Sequence, residues 1–241
     1  YGLYRFREMG MSVLGFEGGG GVGGVWYHNR YPGARVDLDS VDYTYYFSKE
    51  LWTKWRWSER YAAQPELLAY LNFVADELDV RRHYRFNTRV SGAHWQGDAA
   101  RYQVTTSTGD QLTCRFLVMA TGQLSAPRPI RFPGLERFRG QWVQTNRWPE
   151  AEVPLDGRRI GIIGTGSTGV QAIPVLARHA SHLYVFQRTP HYSVPARNAA
   201  ATEERQADIA ARLEEEREYL FASTPGGTHG PRAEHPFAHY T

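Results

Sequence analysis

The chain has 241 residues, 41% of them hydrophobic, enough for one large domain or two small ones with a real core. Its net charge of +3 is small and its basic residues are scattered, which disfavours nucleic acid as a partner and suits an anionic cofactor. A single cysteine, Cys114, excludes an internal disulfide framework, and no apolar run approaches the roughly 20 residues that span a membrane, so we expect a cytoplasmic protein with a buried thiol.

The chain opens on a helix and a short strand. YGLYRFREMG predicts a helix that stops at Gly10, and MSVLGFE predicts a buried strand that ends in Glu17. Because no start signal precedes the helix, we expect residue 1 to lie inside it and the chain to be a fragment. Residues 18–37 then predict a long loop rich in glycine and turn residues.

The middle of the chain predicts one helix and three strands. Residues 65–79 have helical spacing, with Pro65 in the first turn. The strands are predicted from FNTRVSGAHW, RYQVTTST and QLTCRFLVMATG, which turn dipeptides separate.

A linker rich in proline and glycine, SAPRPIRFPGLERFRG, leads to the last part of the chain. There RRIGIIG, VQAIPVLARHA and HLYVFQR predict a strand, a helix and a strand, the start of a βαβ unit. EERQADIAARLEEEREYLF predicts one charged amphipathic helix, and the tail STPGGTHGPRAEHPFAHYT shows no periodicity.

Three glycines stand where a nucleotide-binding turn needs them. Gly164, Gly166 and Gly169 follow an apolar strand and open a helix, so the backbone can approach a pyrophosphate that rests on the helix N-terminus. The alternative is a structural glycine turn. The next strand ends in Gln187, Arg188 and Thr189 without a carboxylate, and Arg188 favours NADP over NAD unless it is only a solvated arginine.

The front of the chain repeats half of this pattern with the opposite charge. Helix, strand and Glu17 form the second half of another dinucleotide unit, in which Glu17 would accept the ribose hydroxyls. Taken alone, Glu17 is more simply a solvated carboxylate at a strand end. An acidic end at Glu17 and a basic end at Arg188 together indicate two different cofactors, FAD and NADPH.

Four separated stretches resemble Baeyer–Villiger monooxygenases, which are class B flavoproteins. They are, in order, GGVWYHNRYPGARVD (23–37), MATGQLSAP (119–127), FRGQWVQTNRWP (138–149), and GTGSTGVQ with VFQRTPH. The chain looks nearest to the phenylacetone and steroid monooxygenase branch. The resemblance implies an α/β fold with two Rossmann-like domains, both incomplete: an FAD-binding domain at 1–135, a fingerprint linker at 136–157, and an NADPH-binding domain with the start of a helical insertion at 158–241.

The resemblance also assigns site residues. Those implied to line FAD, besides Glu17, are Gly24, Val25, Trp26, Asp37, Tyr43 and Val90, with Gln123 beside the flavin entrance. Those implied to hold NADPH are Gly164, Thr165, Gly166, Ser167, Thr168, Gly169, Gln171, Arg188 and Thr189. Asp37 is the implied catalytic residue, because in the family it orients the active-site arginine. Without the family, Trp26, Tyr43 and Val90 would most simply be core residues.

The implied activity uses NADPH and O2 to insert oxygen beside a ketone carbonyl through a C4a-peroxyflavin, which gives an ester or lactone. The implied partners are the ketone and O2, with no metal, membrane or nucleic acid, and the protein is expected to be a monomer. Gln144 stands at the position of the fingerprint histidine. Since the first glycine loop and the arginine segment are not among these residues, we expect the chain alone to be inactive. Two alternatives are a flavin-containing N- or S-monooxygenase and a non-catalytic nucleotide-binding remnant.

Overall fold

A computed structural model of the chain describes residues 1–222, so the tail predicted to be irregular lies outside the described residues. Contacts between segments divide the chain into two compact units. The first unit comprises Tyr1–Ala34 and Gln64–His191, and the second comprises Arg35–Ala63 and Tyr192–Thr241. The domain boundaries predicted at residues 135 and 157 separate the part assigned to FAD from the part assigned to NADPH. They differ from the boundaries of the two compact units and stay a prediction.

The regular elements are helices and short strands. In chain order they are α1 (Gly2–Glu8), β1 (Gly15–Phe16), α2 (Val25–His28), α3 (Lys49–Lys54), α4 (Gln64–Glu77), β2 (Tyr84–Arg85), β3 (Val90–Gln96), β4 (Arg101–Thr106), β5 (Gln111–Cys114), β6 (Arg159–Ile163), α5 (Ser167–His179), β7 (His182–Phe186), α6 (Glu203–Ala211) and α7 (Leu213–Ala222). No helix in the part of the chain that the structure describes is long and apolar enough to cross a membrane.

The front of the first unit has the predicted order of helix and strand. Helix α1 ends at Glu8, and Gly10, which follows the C-cap residue Met9, has a φ of +76°. The Gly10 N–H donates to the Arg7 carbonyl and the Met11 N–H donates to the Phe6 carbonyl, the paired bonds of a glycine C-cap. Strand β1 is only two residues long and pairs in parallel with β2. The predicted helix is confirmed and the strand is present at reduced length, but the prediction that it is buried is wrong: both residues of β1 are half-buried, and Leu14 before it is 40% exposed.

The three predicted middle strands form an antiparallel sheet in the order β3-β4-β5. The third strand ends at Cys114, so the prediction that it continues through residues 115–122 is wrong. There Phe116, Val118 and Met119 are 72%, 66% and 75% exposed. Apolar residues form a strand only where a neighbouring backbone pairs with them, and none of the described strands pairs with this stretch. Cys114 lies at the end of the edge strand and is half-buried. The prediction of a buried thiol is therefore wrong.

The predicted βαβ unit is confirmed. Strands β6 and β7 pair in parallel from Arg159 with His182 to Ile163 with Phe186, and α5 connects them. Ile162, Ala172 and Leu176 form the buried core between strand and helix. This packing fixes the start of α5 relative to the end of β6.

In the second unit, the helix predicted over 203–221 is two helices, α6 and α7. They are separated at Arg212, which has a φ of −110° and a ψ of 27°. The Arg212 side chain turns back to the Asp208 carboxylate, and Leu213 is buried after the break. Ile209 before the break and Leu213 after it are both buried.

Two polar anchors hold α6 to the loop that ends at Ala63. Gln206, 5% exposed, accepts a hydrogen bond from the Trp57 N–H at 2.8 Å and donates to the Trp57 carbonyl at 3.2 Å. Asp39 accepts from Arg60 at 3.3 Å and from Arg205 at 3.0 Å. Gln206 therefore satisfies both buried backbone groups of one residue, as a neighbouring strand would.

Replacing Gln206 by leucine should lower the free energy of unfolding by about 1–3 kcal/mol, because both backbone groups of Trp57 lose their partner in the interior. Urea unfolding followed by tryptophan fluorescence measures this loss. Glu204→Ala, at an exposed position of the same helix, is the control and should change the midpoint little. Equal midpoints for the two variants would show that the anchor contributes nothing.

Candidate functional site

The turn between β6 and α5 has a backbone that only glycine allows. Gly164 has a φ of +103°, and its N–H donates to the Phe186 carbonyl at 2.9 Å. A Cβ on Gly169 would overlap the Gly164 carbonyl oxygen and lie 3.0 Å from its carbon. The first glycine thus makes the turn and the third lets the helix pack against it, as a dinucleotide-binding turn requires.

A cleft of about 240 Å³ opens at this turn. Its lining residues are Thr145, Ile162, Ile163, Gly164, Gly166, Ser167, Thr168 and Gly169. Gly166 caps α5, and the first turn of the helix has no acidic residue. Unpaired N–H groups and the positive end of the helix dipole therefore face the cleft without a competing carboxylate. These residues fit the pyrophosphate of a dinucleotide.

The end of β7 shapes the same turn. The Gln187 side-chain amide donates to the Thr165 hydroxyl at 2.8 Å. Arg188 and Thr189 follow, both exposed, and Arg188 has no ion-pair partner within residues 1–222. The guanidinium is therefore available to a phosphate. The sequence prediction named Arg188 but missed Gln187, whose position in the strand gave no sign that it reaches Thr165.

Thr145 is a second residue that the sequence prediction missed. It lies in a short 3-10 turn, Thr145–Arg147, and reaches the cleft from the fingerprint segment. The preceding residue, Gln144, donates from its side-chain amide to the Arg128 carbonyl at 3.0 Å. Glutamine at the fingerprint position therefore joins this segment to the linker and brings Thr145 to the glycine turn. Adjacency to the fingerprint position was the only signal that could have identified Thr145.

Glu17 stands at the end of β1, as the sequence predicts. The Gly19 N–H donates to Glu17 Oε1 at 2.7 Å, and His28 Nε2 lies 4.0 Å from the same oxygen. The other carboxylate oxygen has no hydrogen-bond partner among the described side chains and backbone. Burial, and then the charge of Glu17, raise the pKa of the nearby Tyr84 hydroxyl. The carboxylate is half-exposed and can accept ribose hydroxyls.

The remaining first-unit residues assigned to FAD lie at or near the surface. Gly24 caps α2 with a φ of +52°, and Val25 is 38% exposed. Trp26 is half-buried, and its carbonyl accepts from the Gln64 side-chain amide at the start of α4. Val90 is 36% exposed and Gln123 is exposed.

The alternative of a core role for Trp26, Val90 and Tyr43 is wrong. None of the three is buried, and Tyr43 in the second unit is half-exposed like Trp26. Apolar side chains that stay partly open to solvent leave surface for a ligand to cover.

Asp37 and Tyr43 both belong to the second unit, and the structure brings them together with each other. Asp37 is exposed. Burial raises the pKa of the Tyr43 hydroxyl, and the negative charge of Asp37 raises it further. The Asp37 carboxylate therefore lies close enough to Tyr43 to change the pKa of its hydroxyl, and it is exposed enough to bind a cationic side chain.

Comparison with known proteins gives the family. Residues 41–220 match the family model described as pyridine nucleotide-disulphide oxidoreductase, which covers the larger part of the chain. The chain belongs to this family. Its α/β organisation, with a glycine turn between a parallel strand and a helix, accords with that membership.

Within the family, the chain is similar to Baeyer–Villiger monooxygenases, and the resemblance drawn from the four motifs is confirmed. A Baeyer–Villiger monooxygenase of Pseudooceanicola batsensis is 47% identical over 199 residues, which are 82% of this chain and 36% of that protein. The structure of an oxidized steroid monooxygenase bound to NADP superposes with a TM-score of 0.90 at 48% identity, over 96% of this chain and 44% of that one.

A further similar structure, OTEMO complexed with FAD and NADP, has a TM-score of 0.86 at 43% identity and covers 92% of this chain and 43% of that one. A relative of this chain is thus seen with both cofactors. The chain spans about two fifths of the length of the curated relatives that it matches.

Gly169→Ala should abolish measurable binding of NADP+ at the cleft, because its methyl group would overlap the Gly164 carbonyl and force α5 away from the turn. Isothermal titration of the 241-residue chain with NADP+ measures the binding. Gly161→Ala is the matched control in β6, since its Cβ would meet only the edge of the Phe186 ring at 3.4 Å. Unchanged affinity in Gly169→Ala would remove the turn from the site.

Proposed function

We propose that the full protein is an FAD- and NADPH-dependent Baeyer–Villiger monooxygenase that converts a ketone to an ester or lactone. The observation that carries the proposal is a pair of strand ends of opposite charge, Glu17 after β1 and Arg188 after β7. A carboxylate accepts the free ribose hydroxyls of one dinucleotide, and a guanidinium binds the 2′-phosphate of another. The similarity to Baeyer–Villiger monooxygenases supports the same pair of cofactors.

NADPH would be held by the turn and by the strand end beside it. In this proposal the N–H groups at the start of α5 bind the pyrophosphate, with the hydroxyls of Ser167 and Thr168 beside them. Thr165, fixed by Gln187, and Arg188 with Thr189 bind the adenosine end. Gly169 keeps the helix close enough for these contacts.

FAD would be held at the front of the first unit. Glu17 would bind the ribose, and the half-exposed surface of Gly24, Val25, Trp26 and Val90 would be covered by the cofactor, with Gln123 at its entrance. When bound, NADPH would supply the electrons that reduce the flavin, and the reduced flavin would activate O2. Two Rossmann-like domains, both incomplete in this chain, with the boundaries predicted from the sequence, complete the proposal.

Asp37 and Tyr43 are proposed for the site on the family resemblance. Asp37 would act as a positioning residue, since an exposed carboxylate can hold a guanidinium where charge develops on the former ketone oxygen. A cytoplasmic location, a monomeric state and a chain inactive on its own stay predictions.

Arg188→Ala should erase most of the preference for NADPH over NADH. One charge-assisted contact to the 2′-phosphate contributes roughly 1.5–3 kcal/mol, about ten- to hundredfold in affinity. Titrations with NADPH and NADH give the two dissociation constants. Arg178→Ala, an exposed arginine of the same βαβ unit, is the control and should keep the ratio. A chain that binds both nucleotides equally before mutation would refute the assignment.

Asp37→Ala in the full-length protein should leave flavin absorbance intact and lower ester formation by about 10²–10³-fold, because the arginine loses the group that orients it. Gas chromatography of the product from phenylacetone or cyclohexanone gives the rate, and NADPH consumption shows whether the first half of the reaction survives. Asp37→Glu is the conservative variant and should recover part of the rate. Undiminished ester formation in Asp37→Ala would leave the carboxylate without a part in the reaction.

A further inference from the structure

Five residues of the glycine-rich loop at 18–37, Arg30–Ala34, contact helix α5; we call them the YPG loop. The second nucleotide site is the cleft at the start of α5, and the first is the one proposed for FAD around Glu17. The Tyr31 hydroxyl donates to Gln171 Oε1 at 2.9 Å in a partly buried position. The Tyr31 ring packs against the core formed by Ile162, Ala172 and Leu176. One side chain of the loop therefore contacts α5 both by a hydrogen bond and by apolar packing, although 140 positions separate Tyr31 from Gln171.

The backbone of the YPG loop also touches the backbone of α5. Gly33 has a φ of +83°. A Cβ at this position would overlap the Gln171 carbonyl oxygen and lie 3.1 Å from Val175 Cγ2. Only glycine fits here, for conformation and for space. Gln171 is one turn into α5, two residues after Gly169, the last residue of α5 that lines the cleft.

The other side of the YPG loop is fixed to the FAD part of the first unit. The Gln64 N–H donates to the Ala34 carbonyl at 2.8 Å, while the Gln64 side-chain amide donates to the Trp26 carbonyl. Arg30 forms an ion pair with Glu150 at 3.1 Å. A continuous set of contacts thus runs from Trp26 through Gln64 and the YPG loop to α5.

We propose that the YPG loop is a positioning element of the second nucleotide site. Tyr31 and Gly33 set the position of the first turns of α5, and through them the distance of the helix N-terminus from the glycine turn. Nucleotide affinity at the cleft beside the glycine turn therefore depends on a loop that belongs to the proposed FAD site. Gln171 contributes to this affinity by accepting the hydrogen bond from Tyr31. The identity of the nucleotide as NADP rests on the proposed function.

The test compares each variant with a matched control by titrating the 241-residue chain with NADP+. Gly33→Ala should raise the dissociation constant at least tenfold. Its control is Gly109→Ala, which has nearly the same φ, +87°, but no atom within 4 Å of the added methyl group. Tyr31→Phe should raise the constant about two- to tenfold, the range expected for one neutral hydrogen bond. Its control is Tyr184→Phe, which removes a hydroxyl that Arg159 contacts at 3.1 Å on the exposed side of β7.

Both controls should bind NADP+ within twofold of the unaltered chain. Equal effects in variant and control would overturn the proposal, since backbone strain or the loss of any tyrosine hydroxyl would then explain the result.

A cycle of Tyr31→Phe, Gln171→Met and the double variant separates two roles of Gln171. If the two residues act through one hydrogen bond, the dissociation constant of the double variant for NADP+ is no higher than that of the single variant that binds NADP+ more weakly. Additive losses would mean that Gln171 acts on the nucleotide independently of the loop, against the proposal.

A second measurement does not need the nucleotide. Hydrogen exchange of the α5 amides between residues 168 and 176 should be faster in Tyr31→Phe than in Tyr184→Phe at equal thermal midpoints. If the unaltered chain binds no NADP+, the proposed function fails while the exchange rates still decide whether the loop positions α5. Unchanged exchange in Tyr31→Phe, or faster exchange beside an unchanged dissociation constant, would overturn the proposal.

Discussion

Helix α5 depends on close approaches of backbone to backbone that leave no room for a side chain. At one of them Gly169 meets the Gly164 carbonyl, and at the other Gly33 meets the Gln171 carbonyl. The first fixes the helix against the turn that precedes it, and the second fixes it against a loop from the opposite end of the chain. Between these points lie the N–H groups that face the cleft, so their direction is determined by two glycines, Gly169 in the lining of the cleft and Gly33 outside it.

The second unit is held by a different kind of interaction. There, buried polar side chains pair with backbone groups that lack a backbone partner. The Gln206 side chain bonds the N–H and carbonyl of Trp57, and the Ser40 hydroxyl accepts from the Ala62 N–H at 2.7 Å. Both backbone groups of Trp57 and the Ala62 N–H thus find partners, so the unit can bury Trp57 and Leu51 without regular sheet structure around them. Asp37 is carried on this framework, three residues before the buried Ser40.

Elements whose signal is local could be predicted from the sequence. The glycine turn, the βαβ unit and the strand ends at Glu17 and Arg188 follow from residues adjacent in the chain, and the structure places each element as expected. The end of β5 at Cys114 and the break at Arg212 could not be predicted, because both depend on which segments pair or pack nearby. An apolar stretch such as residues 116–119 has strand propensity without a described partner to pair with.

Site residues that act over long separations in the chain were missed for the same reason. Thr145 reaches the glycine turn because Gln144 is fastened to the linker, and Tyr31 reaches Gln171 across most of the first unit. No periodicity or spacing marks such contacts. The family resemblance supplied the neighbouring residues, since motifs record what lies near a site even where the contact itself is invisible in one sequence.

The bond between Gln187 and Thr165 bears on attempts to change the coenzyme. An enzyme that prefers NADH carries a carboxylate at the end of this strand, and position 187 is the natural place to introduce one. In this chain that side chain already holds the second residue of the turn by donating a hydrogen bond. A glutamate there cannot donate and would instead accept from the Thr165 hydroxyl, which would draw the new charge towards the turn and away from the ribose. Redesign of coenzyme use in this protein therefore has to treat Thr165, Gln187 and Arg188 as one unit.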